Sequence, residues 1–432
     1  MAEWAGLAPG GNAPAAQSGD GPTGEGPPSA PDPGGSQGGA GDGRVLPGDL
    51  DEPGTGGHGA RIPWQRASLA SVGDVLIHKT LLAAARQSDG TYDFRPALAH
   101  VAPALRAADL AVANLEQPVS GADLGGYTGY PRFNAPPELL EALRDAGFDV
   151  LTNANNHSLD RGRRGVERTF ANLERFGFIH AGTARNEDER NRIAVAEAGG
   201  IRVAFLAYTY GTNGIPLPAP YLVNLIDPKR IAADIARARA SGADLVSVSL
   251  HFGTEYEPEP SRDQERLVDA VLAAGADIVL GHHPHVLQRA ELRPAGSPGE
   301  DPACADAPAS ADDGPCLYKA VLFSQGNFLA GQVGEDRMTS ALFWLELARD
   351  PVTGRAGVTG IRYLPLYIHK GRVGNRWVWR PVPAREAALA PARYRVPAAD
   401  VPLLQRAFRR AVQRLEAPGV RRVDLDDVAR GP

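Results

Sequence analysis

Short apolar runs alternate with amphipathic stretches along most of this 432-residue chain. The runs are rich in β-branched residues and end at glycine or polar residues, which predicts buried strands. Between them, apolar residues recur at three- and four-residue spacing, which predicts helices. Because strands and helices alternate, the pattern predicts an α/β fold. Strands are predicted at 67–72, 110–113, 150–152, 202–208, 245–250, 278–280, 320–324, 342–347 and 357–366, and helices at 136–146, 164–176, 228–240, 261–274 and 401–415.

The pattern does not extend over the whole chain. Residues 1–62 are mainly Gly, Pro, Ala, Ser and Asp, and we expect them to be disordered because they cannot bury enough apolar surface to fold. Residues 63–385 are predicted to form one domain, in which the polar segment 294–314 is a disordered insertion. Residues 386–432 are predicted to be a C-terminal tail with a helix.

Composition and charge argue against several classes of partner. The 51 acidic and 45 basic residues give a net charge of −6 at pH 7, so we expect no nucleic-acid partner. The chain has no apolar stretch of about 18 residues, which a membrane-spanning helix needs, and no recognisable signal peptide. We therefore expect a cytoplasmic protein without an integral membrane segment. Cys304 and Cys316 are expected to be unpaired loop thiols, with a loop disulfide left open for an exported protein.

Metal-capable side chains lie at the ends of five predicted strands. The carboxyl ends of strands in open α/β sheets form the ligand-binding edge, so we expect these side chains to converge. Carboxylates, amides and imidazoles suit Mn, Fe or Zn, and a bridging carboxylate can hold two such ions. The motifs are SVGDVLIH with Asp74 and His78, AVANLEQP with Asn114 and Glu116, LTNANNHSLDRG with Asn156 and His157, SVSLHFGTEY with His251 and Glu255, and GHHPH with His282, His283 and His285.

Each motif alone also fits a structural role. Gly73-Asp74 is typical of a turn followed by a helix N-cap, and Glu116 is typical of a solvated loop residue. The asparagines before His157 are typical of a turn. However, five of the ten histidines fall in the last three motifs, all at strand ends, and folding constraints alone do not explain this coincidence. The set therefore favours a two-metal centre.

The ordered set of motifs resembles a known family. GDVLIH, NLE, NANNHSLD, HFGTEY, GHHPHVLQ and SQGNF occur here in the order found in the CapA family, named for poly-γ-glutamate capsule biosynthesis. That family looks like a branch of the calcineurin-like metallophosphoesterases. The resemblance covers roughly Ser68 to Leu366 and implies an αββα sandwich, with two packed sheets flanked by helices.

The resemblance also implies roles for particular residues. Asp74, Glu116 and His157 would form the catalytic set, with Glu116 bridging two divalent ions and His157 protonating a leaving group. The chain departs from the metallophosphoesterase pattern at the first motif, which lacks Asp-x-His, and at Glu116, where aspartate is usual. The implied metal ligands are Asp74, Glu116, Asn156, His251, His283 and His285, and the residues expected to support them are His78, Asn114, Glu255, His282 and Asn327.

The function implied by the resemblance is hydrolase-like chemistry associated with poly-γ-glutamate biosynthesis. The substrate would be an anionic polymer, a phosphoester or a peptide. Two alternatives stay open. A metal-independent peptide epimerase of natural-product maturation would use the imidazole and carboxylate pairs for proton transfer, and its activity would survive chelation. A non-catalytic polymer-binding scaffold would tolerate replacement of His157.

Overall fold

The fold is described from a computed structural model of the chain. The structure describes residues 62–295, 314–373 and 376–428. The chain divides into two units, Met1–Gly59 and Ala60–Pro432, and every described residue belongs to the second. The disorder predicted for 1–62 and 294–314 lies almost wholly outside the described residues.

The strands and helices follow the predicted alternation. The strands are β1 (Gln65–Leu76), β2 (Leu110–Leu115), β3 (Val150–Thr152), β4 (Ile179–Ala181), β5 (Ala194–Ala198), β6 (Ile201–Thr209), β7 (Leu245–His251), β8 (Ile278–His282), β9 (Ala290–Pro294), β10 (Tyr318–Leu322), β11 (Asn327–Ala330), β12 (Thr339–Arg349), β13 (Ala356–Val373), β14 (Arg376–Pro383) and β15 (Val420–Arg422). The helices are α1 (Lys79–Ala85), α2 (Arg95–Leu98), α3 (Ala102–Leu105), α4 (Glu138–Ala146), α5 (Gly162–Arg175), α6 (Glu187–Asn191), α7 (Pro228–Ala240), α8 (Arg262–Ala273), α9 (Glu335–Met338), α10 (Ala384–Leu389), α11 (Val401–Leu415) and α12 (Leu425–Val428).

The strands form two packed layers. The first follows the order β4-β3-β2-β1-β12-β13 and the second β10-β8-β7-β6-β5, and the two meet at the single pair Tyr318 and Val358 of β10 and β13. Leu69 and Val112 of the first layer share one apolar core with Val203 of the second. This core buries the inner face of each sheet, and the apolar runs are near-continuous because the outer faces are buried as well.

Helices cover the outer faces of both sheets. Leu139 and Leu143 of α4 belong to a core on the outer face of the first sheet. Ile235 of α7 and Val268 of α8 belong to a core on the outer face of the second sheet. The order of layers is therefore helix, sheet, sheet, helix, which confirms the predicted α/β class and αββα sandwich.

The turn predicted at Gly73-Asp74 is wrong, because β1 continues to Leu76. A Cβ on Gly73 would lie 1.8 Å from the Gly326 oxygen, and the Asp74 amide donates a hydrogen bond of 3.0 Å to that oxygen. The glycine thus serves a close approach of two backbones and not a turn. Asp74 is not a helix cap either, since the N-cap of α1 is His78.

The end of the chain packs on the sheets. The predicted helix at 401–415 is confirmed as α11, and its Ala411 and Leu415 belong to the core between the sheets. After it, β15 pairs in parallel with β13. No helix in the described ranges is both long and apolar enough to cross a lipid bilayer.

The expectation of an unpaired thiol at Cys316 is wrong, because this cysteine is disulfide-bonded. Cys304 lies outside the described residues. Disulfides persist mainly in oxidising compartments, so the cysteines give no support to the predicted cytoplasmic location.

Candidate metal centre

The predicted site residues converge at the carboxyl ends of parallel strands from both sheets. Asp74 lies near the end of β1, and Glu116 directly follows β2. His251 and His282 are the last residues of β7 and β8 and are register neighbours. In the same way Asp74 pairs in register with Asn114 of β2 and with Asn327 of β11. The strand order of the sandwich therefore assembles the site.

Two groups of potential metal ligands share the Glu116 carboxylate. Asp74, Glu116 and His251 place one ligand atom each within 4.8 Å of one another, and so do Glu116, His283 and His285. All five side chains are buried. Glu116 Oε1 lies 3.4 Å from His251 Nε2 and 3.7 Å from His285 Nε2. The shared carboxylate corresponds to the predicted bridging position.

The Glu116 side chain lacks the partners that a buried charge needs. Both of its carboxylate oxygens are buried without a hydrogen-bond partner in the described part of the chain. Burying an uncompensated carboxylate is costly, and burial raises the pKa of Glu116 to about 8. Divalent cations between the two ligand groups would supply the missing compensation, so these residues fit metal ions.

Asp74 is surrounded by donors. Its Oδ1 accepts a hydrogen bond of 2.8 Å from Asn114 and lies 3.2 Å from His282 Nδ1, while its Oδ2 lies 3.1 Å from His285 Nδ1. Burial alone would raise the pKa of Asp74, but the contacts with His282 and His285 hold it well below its usual value. Asp74 is therefore a charged carboxylate.

The imidazoles are oriented by polar neighbours. His285 Nδ1 lies 3.1 Å from Asn327 Oδ1, and this contact leaves Nε2 to face Glu116. Such a partner on the second ring nitrogen is typical of metal-ligating histidines. Burial holds the pKa values of His251 and His283 well below their usual value, so these rings are neutral, as metal ligation requires. At His285 the carboxylates of Glu116 and Asp74 outweigh burial and raise the pKa to about 9.

The GHHPH segment leaves its strand through left-handed backbone. His283 has φ of 94° and His285 has φ of 59°, conformations that non-glycine residues adopt only at a cost. Since β8 ends at His282, these two turns are what bring His283 and His285 to the same carboxylate.

His157 and Asp160 form a hydrogen-bonded pair beside the two groups of potential metal ligands. His157 Nδ1 lies 2.8 Å from Asp160 Oδ2, which also accepts a hydrogen bond of 2.6 Å from the Phe133 amide. With Nδ1–H donating to Asp160, the other ring nitrogen of His157 is available for proton transfer. The neighbouring Asn156 Oδ1 lies 3.0 Å from His251 Nε2.

A cleft of about 600 Å³ opens beside these side chains. Asn156, His157 and His285 line it, as do the predicted supporting residues His78 and Glu255. His78 Nδ1 lies 3.1 Å from the Gly331 amide nitrogen, and Glu255 is exposed, and neither belongs to a ligand group of the described residues. The structure thus brings together all the predicted site residues, with these two at the edge.

Sequence reasoning missed three residues of the site. The Tyr210 ring lies 4.7 Å from the His283 ring and 6.3 Å from the His251 ring, and burial raises the pKa of Tyr210 to about 12. Tyr210 directly follows β6, so the same strand-end signal points to it. Asn213 accepts a hydrogen bond of 3.2 Å from Asn156, and Asp160 stands inside a motif already singled out.

Comparison of the sequence with known proteins finds proteins of capsule and PGA biosynthesis. The profile of the family described as "Bacterial capsule synthesis protein PGA_cap" matches residues 68–332. The chain is 31% identical over 240 residues to the capsule biosynthesis protein CapA of Bacillus anthracis, covering 54% of this chain and 57% of that protein. It is 28% identical over 318 residues to the PGA biosynthesis protein CapA of Bacillus subtilis strain 168, covering 70% of this chain and 72% of that protein. The chain thus spans little more than half the length of the Bacillus anthracis relative.

The chain also matches solved structures at low sequence identity. The calcineurin-like phosphoesterase YfkN from Bacillus subtilis is 14% identical with a TM-score of 0.41, covering 80% of this chain and 100% of that one. The 5′-nucleotidase precursor from Thermus thermophilus is 14% identical with a TM-score of 0.37, covering 81% of this chain and 58% of that one.

Proposed function

The chain belongs to the family of bacterial capsule synthesis proteins, and we propose that it is a hydrolase that acts on an anionic polymer through a centre of two divalent ions. The observation that carries this proposal is the Glu116 carboxylate, which is buried, lacks hydrogen-bond partners among the described residues and is shared by both ligand groups. A bridging carboxylate between two cations would have this environment.

The residues divide between the two ions as follows. Asp74, Glu116 and His251, with the Asn156 amide oxygen nearby, would hold one ion. Glu116, His283 and His285 would hold the other. Bound ions of the Mn, Fe or Zn class act as Lewis acids and make water nucleophilic near neutral pH.

The remaining steps fall to side chains of the cleft. His157 would donate a proton to the leaving group, and Asp160 would keep its ring in the required orientation through the 2.8 Å contact. The Phe133 amide fixes Asp160 in turn. Tyr210 would cover the His251 and His283 rings and limit the access of water.

The substrate class rests on the relatives and on one cationic side chain of the cleft. Arg132 is exposed and lines the cleft, where it would attract an anionic group. The relatives named for capsule and PGA biosynthesis support a polymer such as poly-γ-glutamate as the anion. Its release or trimming would place the bond that water breaks at His157.

Metal content and chelation test this proposal. Elemental mass spectrometry of the purified protein is expected to find about two transition-metal ions per chain. Glu116→Gln should lose them, because the amide removes the shared charge. Glu197→Gln is the matched control, since Glu197 is exposed on β5, and should keep them. Chelation should abolish hydrolysis of a glutamate oligomer and of a chromogenic phosphodiester.

Other outcomes would favour the alternatives. Activity that survives chelation, with a change of stereochemistry in a peptide substrate, would identify a metal-independent epimerase. Polymer binding that is unaffected by His157→Ala, with no turnover of any substrate, would identify a scaffold. Either outcome would contradict the hydrolase.

A further inference from the structure

A groove of about 560 Å³ runs along the exposed side of α11, outside the cleft. Five arginines line it, and Glu259 is the one carboxylate among its described lining residues. The arginines are Arg289, Arg406, Arg409, Arg410 and Arg414. We refer to this surface as the arginine groove.

The short helix α9 separates the arginine groove from the cleft. On one side, the Arg337 guanidinium lies 4.8 Å from the ring centre of Tyr256, which lines the cleft. On the other side, Glu335 Oε1 lies 2.6 Å from Arg406 Nη2 in the groove. The loop after β7 also connects them, since Tyr256 lines the cleft and Glu259 lines the groove. A chain molecule longer than the cleft would therefore meet the groove next.

Carboxylates hold several of the arginines in place from outside the groove lining. Glu335 and Asp336 of α9 pair with Arg406, Arg410 and Arg414 at 2.6–3.4 Å. Each guanidinium carries five N–H donors in a fixed plane, so one such pair leaves donors free. These pairs order the arginines without using all of their hydrogen-bonding capacity.

One arginine of the groove has its whole hydrogen-bonding capacity unused by ion pairs in the described structure. Arg409 is exposed and forms no ion pair with any described residue. Arginine recognises carboxylates through paired N–H donors, so an acceptor-rich ligand would complete this surface.

We propose that the arginine groove binds a carboxylate-rich segment of the polymer substrate while another segment occupies the cleft. This inference rests on the proposed function, since it names a second contact for the same substrate. A nucleic acid fits less well, because no described residue lining the groove is aromatic and able to stack on a base. The groove would hold the polymer near the centre between successive reactions and would favour long chains over short ones.

Binding of a fluorescein-labelled glutamate oligomer, followed by anisotropy in low salt with chelator present, tests the groove. We expect Arg409→Gln to weaken binding about threefold, because an exposed ion pair contributes little, and Arg409→Glu to weaken it about tenfold. Arg66→Glu is the matched control, since Arg66 is exposed on β1 and is not among the groove residues, and should bind like the wild type. Added salt should reduce the difference between variants.

The outcomes separate this inference from the proposed function. Equal binding of the glutamate oligomer by the wild type and Arg409→Glu would overturn this inference. A variant Arg409→Glu that binds duplex DNA more weakly than the wild type, but binds the glutamate oligomer equally well, would overturn it too. If the chain is not a hydrolase, the effect on oligomer binding would persist, because chelator is present throughout. Hydrolysis of a small chromogenic substrate should be unchanged in Arg409→Glu, since that substrate does not reach the groove.

Discussion

Asp74 and Glu116 are both fully buried, yet their surroundings move their pKa values in opposite directions. Contacts with His282 and His285 outweigh burial for Asp74 and lower its pKa, whereas burial dominates for Glu116 and raises its pKa. The protein therefore compensates one carboxylate with its own donors and leaves the other without them. A cation would contribute most beside Glu116, which is why that residue is the most informative one to replace.

The contact between His157 and Asp160 leads to a prediction about catalysis. We expect His157→Ala to lower kcat about 10²- to 10⁴-fold, the usual contribution of a general acid. Asp160→Asn should lower kcat by a smaller factor than His157→Ala, but still by about tenfold or more. The His157 ring would lose its charged partner and keep its position. Steady-state hydrolysis of a glutamate oligomer measures both, and KM should change little since binding is unaffected.

Metal content provides the control for these two variants. Both should retain the bound ions of the wild type, because neither side chain belongs to the ligand groups found among the described residues. A full loss of ions in Asp160→Asn would show that the pair supports the metal centre instead of proton transfer. An unchanged kcat in His157→Ala would refute the role of His157 as the general acid.

At the scale of elements, the path of β1 through Gly73 is what places Asp74 in the site. We expect Gly73→Ala to lower the free energy of unfolding by about 3 kcal/mol or more, because the new Cβ would lie 1.8 Å from a backbone oxygen. Gly211→Ala is the control, since a Cβ there has no neighbour within 4 Å, and should change stability by less than about 1 kcal/mol. Urea unfolding measures both. If Gly73→Ala were as stable as Gly211→Ala, the backbones of β1 and Gly326 would be able to move apart at little cost.

The same element shows how far sequence reasoning reaches. The apolar run predicted at 67–72 forms most of the first part of β1. It could be predicted because a strand that is buried on both faces has a continuous apolar sequence, which is visible without knowing the strands beside it. The extension to Leu76 depends on Gly326, which is distant in sequence, so local rules predicted a turn. β11 was missed because it has four residues and is completed by pairing with β1. The site residues were found because they follow strands, and Tyr210 was overlooked although it does too.

At the scale of the whole molecule, the site depends on both sheets being held face to face. Asp74 and Glu116 come from the first sheet, while His251 and His282 come from the second. Their register within each sheet is local, but the distance between Glu116 and His251 is set by the packing between sheets. The core between the sheets therefore sets the geometry of the candidate metal centre.

The C-terminal residues contribute to that core, which leads to a last prediction. Leu415 of α11 is fully buried between the sheets, so we expect Leu415→Ala to lower the free energy of unfolding by about 2 to 5 kcal/mol. Leu389→Ala is the control, because Leu389 is 71% exposed, and its effect should stay within about 0.5 kcal/mol. Deletion of residues 398–432 should prevent stable folding and metal retention. The opposite result is a shortened chain that unfolds cooperatively at the wild-type urea midpoint and keeps its ions. In that case residues 386–432 would be a dispensable tail, and the domain boundary predicted at residue 385 would hold.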